Sequence, residues 1–470
     1  MTILIGLMLL VSALASVFIL ALDSKLSKRL AIAGSGIVLA IAILILVSSL
    51  LQGSLSMNES YPYISAFNIS LQLQMTPINF ILVLMTAIVA FAAILSGNPE
   101  RAGVKTANTL IMLFEFSAIG LFTSANLFIF FIFWDIGVIA LFFMINVLGS
   151  ANRRYASIKF IIYEIFASSL LLLGIMMIYF YTPVHSFNIS SITAAASSIP
   201  QSTQELIFIP LFAAFAVNMP LFPVHFWLPD AHTEASTQGS MLLSGVLTKF
   251  GAYGMLLIFT MLPIANKLAV PIAVLAGFST IYAAFVTMMQ HDIKRVIAYT
   301  TIIDMGIILV AIAAMNAFGT YGAVYAMFAH GVTIALMFLS VGCLHHIFGS
   351  RDMKVVKGVV SKAASTGYSF IMGVFGITGV PLTAGFIADV LIFIGAIQAF
   401  GLAGALPLVG LLMIGAFFYL VVNRSFMMTK DPSQPIEYIG MEEKAGYAIL
   451  MGSMLLFGIF PFLLLGFSNL

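Results

Sequence analysis

Long apolar runs separated by short polar breaks make up almost the whole chain. Most runs are about 20 residues long, the length that an α-helix needs to cross the hydrocarbon core of a bilayer. The pattern predicts about fourteen membrane-spanning helices, numbered here as spans 1 to 14, and therefore an all-α, polytopic membrane fold. The predicted spans begin near Thr2, Leu30, Thr76, Thr106, Ser124, Ser157, Glu205, Gln238, Lys267, Ile293, Phe318, Thr366, Leu402 and Lys444.

The polar stretches between these runs are too short to form a separate domain, so residues 1–470 are expected to be a single transmembrane domain. The two longest, around 52–75 and 183–204, are rich in Ser, Asn and Gln and predict loops. Composition agrees, because 62% of the 470 residues are hydrophobic and only 8% are charged. Such a composition excludes a soluble protein with a solvated surface.

Basic residues divide the connections between spans into two classes. Of the nineteen Lys and Arg residues, all but Lys249 and Lys267 lie at connections that follow an odd-numbered span. Under the positive-inside rule these connections are cytoplasmic, which predicts that both termini lie outside. The basic residues concerned are Lys25, Lys28, Arg29, Arg101, Lys105, Arg153, Arg154, Lys159, Lys294, Arg295, Arg351, Lys354, Lys357, Lys362, Arg424, Lys430 and Lys444.

Ionisable side chains inside the predicted spans are candidates for function. A charge at mid-membrane costs roughly 2.5 to 3.5 kcal/mol on insertion scales, and such side chains tend to face a bundle interior or water. Their spread over many spans is what a relay requires, although any one of them could instead form a structural ion pair or a hydrogen-bonded cap. The residues are Glu115, Asp135, Glu164, Lys249, Asp304, His330 and Asp389, in spans 4, 5, 6, 8, 10, 11 and 12.

Prolines predict two interrupted helices. Pro220, Pro223 and Pro229 remove backbone donors from span 7 and clash with the preceding turn. Span 12 has a matching break at GITGVPLTAGF, residues 376–386, immediately before Asp389. A broken helix at membrane depth is tolerated only where protein or water satisfies the freed backbone groups, so both breaks are expected to face polar surroundings.

The polar end of span 7 has spacing that could suggest a metal site, since His225, Asp230, His232 and Glu234 lie within ten residues of one another. Caps and loop hydrogen bonds are the commoner role of His and carboxylates at a helix end. We therefore predict no metal site at this end of span 7.

Five stretches, taken in order, closely resemble one membrane-protein family. They are FIFWD (131–135), PLFPVHFWLPDAHTEASTQGSMLLSGVLTKFGAYG (220–254), QHDIKRVIAYTTIIDMG (290–306), FAHG (328–331) and RDMKVVKG (351–358). The family comprises the proton-translocating, antiporter-like subunits of respiratory complex I, the Mrp-type cation/proton antiporters and the membrane arms of energy-converting hydrogenases.

This resemblance implies fourteen helices and two inverted five-helix repeats with helices 7 and 12 broken. The implied division is 1–105 for spans 1 to 3, 106–262 for the first repeat, 263–428 for the second and 444–467 for span 14. It also implies that the subunit carries no redox cofactor, and so no catalytic residue and no cofactor-binding residue.

The resemblance further implies an ion pathway at mid-membrane. Carried over by motif, Asp135 stands where the family has a span 5 glutamate, Lys249 matches the span 8 lysine, His330 the span 11 histidine and Asp389 the span 12 acid. Asn218 stands where the family has a lysine that pairs with the span 5 glutamate, so we expect Asn218 to hydrogen-bond Asp135 without supplying a charge. The remaining candidates for an auxiliary pathway are Glu115, Lys159, Glu164 and Asp304.

Three functions fit these observations. The first is an ion-translocating subunit in the membrane arm of a redox-driven complex, either complex I-like or hydrogenase-like, and it is the interpretation we favour. The second is a subunit of a Mrp-type antiporter. The third is a structural or coupling subunit that no longer conducts, because Asn218 replaces the lysine. The expected partners are other membrane subunits, lipid, and protons or sodium ions, with redox subunits contacted indirectly and no nucleic acid, in a plasma membrane of prokaryotic type.

Overall fold

A computed structural model describes residues 3–64, 69–97, 103–427 and 439–466. Three residues named above lie outside these ranges: Thr2, where span 1 was predicted to begin, and Arg101 and Lys430 of the basic connections. Each of the fourteen predicted spans coincides with a helical segment. Ten helical segments among the described residues are long and apolar enough to cross a membrane, one of them being the continuous run Ala384–Met427. The all-α, polytopic prediction is confirmed.

The spans have the following bounds. Spans 1 to 6 are Leu4–Ile19, Ser24–Gln52, Pro77–Leu95, Val104–Thr123, Leu127–Leu148 and Arg153–Tyr181. Span 7 comprises Gln201–Asn218 and Trp227–Glu234, and spans 8 to 11 are Thr237–Met261, Ala265–Met288, Ile293–Ala313 and Ala317–Phe348. Span 12 comprises Ala364–Ile377 and Ala384–Phe400, span 13 comprises Leu406–Val421 and the π-helix Val422–Met427, and span 14 is Met441–Ile459. Shorter helices are Ile189–Ala195, Ala196–Ser198, Val359–Lys362, Gly401–Ala405 and Phe462–Leu465.

A β-hairpin occupies most of the stretch 52–75, so the loop prediction there was wrong. Strand β1 (Met57–Ile64) pairs antiparallel with strand β2 (Ile69–Met75). In β2 the side chains alternate, with Leu73 and Met75 buried and Gln72 and Gln74 partly exposed, which is the period of a half-buried strand. Overall polarity concealed this alternation.

The hairpin also fixes the start of span 1. The buried carboxylate of Glu59 accepts hydrogen bonds from the backbone N–H groups of Ile5 and Gly6, both at 2.9 Å. These N–H groups have no partner within the helix, and the positive end of the helix dipole favours a carboxylate there.

The break in span 7 lies between Asn218 and Trp227, and protein groups satisfy the freed backbone. The indole Nε1–H of Trp227 donates to the carbonyl of Val217 at 2.9 Å, and the N–H of Phe222 donates to Ser279 Oγ of span 9 at 3.0 Å. Pro220 and Pro223 lie in the break as predicted. Pro229 does not interrupt a helix, because it lies in the first turn of Trp227–Glu234, where its missing N–H would have no intrahelical partner.

The break in span 12 lies between Ile377 and Ala384, as predicted, and it depends on glycine. Gly379 has a φ of +64°, and a Cβ at this position would lie 2.2 Å from the carboxylate oxygen Oδ2 of Asp389. A Cβ at Gly385 would lie 2.0 Å from the carbonyl oxygen of Gly376. The two halves of the span can therefore approach closely only because these positions lack side chains.

Spans 8, 10 and 11 form the centre of the bundle and are almost entirely buried, together with most of span 3. Spans 2, 6, 9 and the run Ala384–Met427 leave more than half of their residues incompletely buried. A π-helical segment occurs in span 8 at Leu243–Leu247 and another in span 13 at Val422–Met427. Spans 8 and 13 are the last helices of the two predicted repeats, just as the broken spans 7 and 12 are their fourth helices. This correspondence is what the repeats require, while their boundaries stay a prediction.

Candidate functional site

Lys249 is the centre of the site and is completely buried in span 8. It follows the π-helical segment Leu243–Leu247, whose widened turn leaves backbone carbonyls without their usual α-helical partners. The ammonium Nζ donates to the carbonyl oxygen of Ser244 at 2.6 Å, and Thr248 Oγ1 donates to the same oxygen at 3.0 Å. The π segment therefore gives the buried ammonium a backbone acceptor on its own helix.

His330 of span 11 supplies the second contact of Lys249, with 2.6 Å between Nζ and the ring nitrogen Nδ1. Two glycines allow the helices to come this close. A Cβ at Gly331 would lie 2.8 Å from the carbonyl oxygen of Gly245, and a Cβ at Gly245 would lie 3.2 Å from that of Gly331. When Lys249 is an ammonium it has only donors, so Nδ1 accepts from it and a neutral ring then carries its proton on Nε2.

Asp304 of span 10 lies on the other side of the imidazole. Its Oδ2 is 3.6 Å from Nε2 of His330, which is beyond a normal N–H···O hydrogen bond but within ion-pair distance. In the described residues Nε2 has no hydrogen-bond partner. A small movement, or one water molecule, would connect the two side chains.

A small cavity links Asp304 with Asp389 at the break of span 12. Its volume is ≈ 30 Å³, and Asp304, His330, Asp389, Gly376 and Gly385 are among its lining residues. This is room for about one or two water molecules. Lys249, His330, Asp304 and Asp389 thus form one series, called the polar axis below. Asp304, predicted only as auxiliary, lies between the residues predicted as primary.

Asn218 contacts Glu164 instead of Asp135, which corrects the predicted pairing. Its Nδ2 donates to both carboxylate oxygens of Glu164, at 3.1 and 3.3 Å, and its Oδ1 accepts from the backbone N–H of Gly251 at 2.8 Å. Asp135 instead accepts a hydrogen bond from Ser168 Oγ. Glu164 and Asn218 are completely buried. The hydrogen-bonded link between spans 6, 7 and 8 ends at Gly251, two residues beyond Lys249.

The other two auxiliary candidates lie away from the polar axis. Glu115 is buried among the first helices, where Ser35 Oγ of span 2 donates to its Oε1 at 2.9 Å. Lys159 lies near the start of span 6 and pairs with Asp230 at 2.7 Å, with both side chains about three-quarters buried. These contacts tie Glu115 and Lys159 to groups other than the four side chains of the polar axis.

The residues that suggested a metal site separate in the structure. Asp230 pairs with Lys159 and Arg295, and Glu234 Oε2 accepts from the N–H of Asn152 at 2.9 Å. His232 is buried with its ring stacked on Phe338, 4.5 Å between centroids. Over the described ranges, no three His, Cys, Asp or Glu side chains come together as metal ligands.

Two neutral groups that hydrogen-bond the ionisable side chains were not predicted from the sequence: the hydroxyl of Ser168 and the backbone carbonyl of Ser244. Ser168 could have been found, because it lies four residues after Glu164 and so on the same face of span 6. The carbonyl of Ser244 could not, since it becomes an acceptor for Lys249 only through the π-helical turn.

The sequence profile of the NADH:quinone oxidoreductase/Mrp antiporter transmembrane family matches residues 124–415. The chain belongs to this family. The matched range contains the whole polar axis together with Asp135, Glu164 and Asn218, whereas Glu115 lies outside it. The resemblance that the sequence motifs indicated is thereby confirmed.

Individual family members extend the likeness over nearly the whole chain. NADH-quinone oxidoreductase subunit M of Rickettsia felis is 31% identical over 409 residues, which cover 86% of this chain and 82% of the relative. A chain of respiratory complex I from Thermus thermophilus has a TM-score of 0.89 at 21% identity, covering 99% of this chain and 97% of that one. A chain of the Mrp complex from Dietzia sp. DQ12-45-1b has a TM-score of 0.87 at 18% identity, covering 100% and 96%. At these identities the structural likeness shows the fold.

Proposed function

We propose that this chain is an antiporter-like subunit in the membrane arm of a complex I-like, redox-driven pump, and that it translocates protons or sodium ions along the polar axis. The observation that carries the proposal is the series of four ionisable side chains through the centre of the bundle. Burying them is expensive for a structural scaffold, whereas a proton relay requires them at mid-membrane.

The geometry allows a proton to pass in defined steps. An ammonium at Lys249 donates to Nδ1 of His330, so transfer along this bond produces neutral lysine and an imidazolium. The imidazolium then faces the Asp304 carboxylate across 3.6 Å, and opposite charges at this separation attract strongly in a buried setting. Release of the Nε2 proton to Asp304 leaves a neutral ring, and water in the adjoining cavity would carry the proton to Asp389.

The other end of the route departs from the family pattern. Without a lysine at position 218, the buried group that faces Asn218 is the carboxyl group of Glu164. Glu164 and Asp135 interact electrostatically, and Asn218 connects Glu164 to the backbone of span 8. We therefore propose that Glu164 takes over the role that the family resemblance gives to an ion pair of spans 5 and 7.

The proposed partners are other membrane subunits, with the redox cofactors in hydrophilic subunits of the same complex. Support comes from the relative named as an NADH-quinone oxidoreductase subunit, while the Mrp likeness concerns the fold. In this proposal the basic connections face the cytoplasm of a prokaryotic cell and both termini lie outside.

The test measures ion uptake in vesicles that contain the whole complex. Lys249→Ala should abolish the contribution of this subunit while all subunits still co-purify, because it removes the first donor of the polar axis. Glu115→Gln is the matched control, since it neutralises a buried carboxyl group outside the axis and should leave uptake unchanged. Recording protons and sodium separately identifies the ion. Wild-type uptake per electron pair in Lys249→Ala would contradict transport through this subunit and favour a non-conducting scaffold.

A further inference from the structure

A second cavity opens at the end of the bundle that carries the basic connections. Its volume is ≈ 640 Å³, within the range of small-molecule sites. Segments that begin spans 4, 6, 8 and 10 line it, represented by Val104, Arg153, Thr237 and Lys294. It has no lining residue in common with the small cavity between Asp304 and Asp389, and none of the four residues of the polar axis lines it.

The ionisable side chains among the described lining residues of this cavity are all basic types. Among its described lining residues there is no Asp or Glu, while five side chains are basic or can become so: Arg153, Lys294, His345, His346 and Arg351. The positive-inside rule places basic residues at this end of the protein, but it does not explain why these five converge on one concave surface.

Lys294 is the most deeply placed of these cations, with only 7% of its surface exposed. Its Nζ donates to the carbonyl oxygen of Ala235 at 2.6 Å, which leaves two of the three ammonium protons for other acceptors. The carboxylates that interact with it electrostatically already have partners. Asp292 pairs with Arg351 at 3.3 Å, and Glu234 accepts from Ser150 Oγ at 3.0 Å.

Helix ends add positive potential to the same place. Spans 4, 6 and 8 each begin at the cavity, and the first turn of a helix presents backbone N–H groups and the positive end of the helix dipole. Apolar residues, among them Ile111, Val147 and Leu148, form another part of the wall. A cavity with cations on one side and an apolar wall on the other suits an amphiphilic ligand that has an anionic head and an apolar part.

We propose that this cavity binds a phosphate-bearing anion, either the headgroup of an anionic phospholipid or free phosphate. Arg153 and Arg351 offer guanidinium groups suited to phosphate oxygens, and Lys294 offers a buried point charge. Basic pockets between transmembrane helices are known binding places for such headgroups. The inference does not depend on ion transport through the polar axis.

Binding is tested on the delipidated, detergent-purified complex by thermal stability and by native mass spectrometry. Inorganic phosphate, phosphatidylglycerol and zwitterionic phosphatidylcholine are titrated separately. Arg153→Gln removes a lining cation, and Arg154→Gln is the matched control because Arg154 is the neighbouring exposed residue that does not line the cavity. Lys294→Gln provides a second lining variant.

Wild type and Arg154→Gln should be stabilised by an anionic ligand and not by phosphatidylcholine, whereas Arg153→Gln should need about tenfold more ligand, as expected for one lost charged hydrogen bond. Stabilisation by phosphate identifies free phosphate, and stabilisation by phosphatidylglycerol alone identifies the lipid headgroup. Equal responses of Arg153→Gln and Arg154→Gln, or no response of the wild type to either anion, would overturn the proposal.

Discussion

At the residue scale, the most informative feature is that Lys249 is bound by a backbone carbonyl and an imidazole. Among the described residues no carboxylate forms an ion pair with its ammonium, and Asp304 makes its ion-pair contact with His330 instead. The imidazole therefore lies between a side chain that can become a cation and one that can become an anion. Moving the proton from Lys249 onto His330 shifts positive charge toward Asp304, which favours forward transfer. The Lys249 to His330 contact is consequently the step on which the route depends.

Gly331→Ala should disrupt that contact without altering any ionisable group. The added Cβ would lie 2.3 Å from Met85 Sδ and 2.8 Å from the carbonyl oxygen of Gly245, so spans 8 and 11 must separate. We expect a loss of about 1 to 3 kcal/mol of stability, typical of overpacking, and slower ion uptake. Thermal unfolding and vesicle uptake measure the two effects.

Gly277→Ala is the control for this substitution. Gly277 is a buried helical glycine of span 9, and a Cβ added there would meet no described atom within 4 Å, so alanine should be tolerated. If Gly331→Ala behaved like Gly277→Ala in both assays, the close crossing of spans 8 and 11 would have no role in transport.

Glu164→Gln should impair ion uptake more than Asp135→Asn does. Glu164 connects through Asn218 to span 8, whereas the described hydrogen bond of Asp135 goes to Ser168 of span 6. Both substitutions exchange a carboxyl group for an amide of similar size, so packing is matched. We expect uptake to fall by about tenfold or more in Glu164→Gln, because an amide cannot take up and release a proton and positioned proton-transfer groups contribute factors of this size or larger. A larger effect of Asp135→Asn would restore Asp135 to the main route.

The sequence identified the ionisable residues of the site but not their pairing. Lys249, His330 and Asp389 could be assigned because motifs and mid-span positions mark them. The partner of Asn218 could not, since the choice between Asp135 and Glu164 depends on how spans 5 and 6 are rotated about their axes. Hydropathy gives the position of a residue along a span and leaves that rotation open.

At the element scale, the interrupted helices are stabilised by specific contacts with neighbouring groups. At the break of span 7, the backbone N–H of Phe222 donates to the hydroxyl of Ser279 in span 9. The indole N–H of Trp227 donates to the carbonyl of Val217. In span 12 the close approach depends on Gly379 and Gly385. Each break is therefore tied to its surroundings, which is the condition for irregular backbone at membrane depth.

Ser279→Ala should destabilise the break of span 7. It leaves the partly buried Phe222 N–H without its acceptor, at a cost of about 1 to 3 kcal/mol. The melting temperature of the complex should fall accordingly. Ser169→Ala is the control, because Ser169 is exposed and its hydroxyl donates to Ile165 of its own helix. Equal melting temperatures for the two variants would show that the Ser279 contact does not support the break.

Elements differ in how readily the sequence shows them. The spans and both breaks could be predicted, because hydropathy and proline act locally. The hairpin Met57–Ile64 with Ile69–Met75 was missed, although its alternating pattern is readable in ISLQLQM. The π-helical segments were missed for a physical reason, since one extra residue in a helical turn is selected by tertiary packing and leaves no hydropathy signature.

At the scale of the whole molecule, the exposed faces of spans 6, 9, 12 and 13 indicate where lipid or other subunits lie. Asp135 is only partly buried and lies on span 5, where Ser168 of span 6 contacts it. A carboxylate is costly against lipid, so a neighbouring subunit is the more favourable surrounding. The polar axis would then continue from one subunit to the next.

The chain should therefore co-isolate with other membrane subunits when it is purified in mild detergent. Size-exclusion chromatography and mass spectrometry of the purified material identify them. Replacing Asp135 with Asn should leave the co-isolation of the subunits unchanged. The isolated chain should become more stable in this variant, because it no longer exposes a carboxylate to lipid. Recovery of a stable, transport-active monomer of the wild-type protein would contradict a function that depends on neighbouring subunits.

Lys249 and Asp304 act in one ion route if their substitutions are not additive in a double-mutant comparison of proton or sodium uptake. Vesicles containing the complex with Lys249→Ala, Asp304→Asn or both are compared with wild type at equal redox rate. Residues that act as a unit are strongly non-additive. If the two residues share one route, each single variant loses the contribution of this subunit and the double variant is no worse than Lys249→Ala. Unchanged uptake in either single variant, or losses that multiply in the double variant, would contradict a shared route.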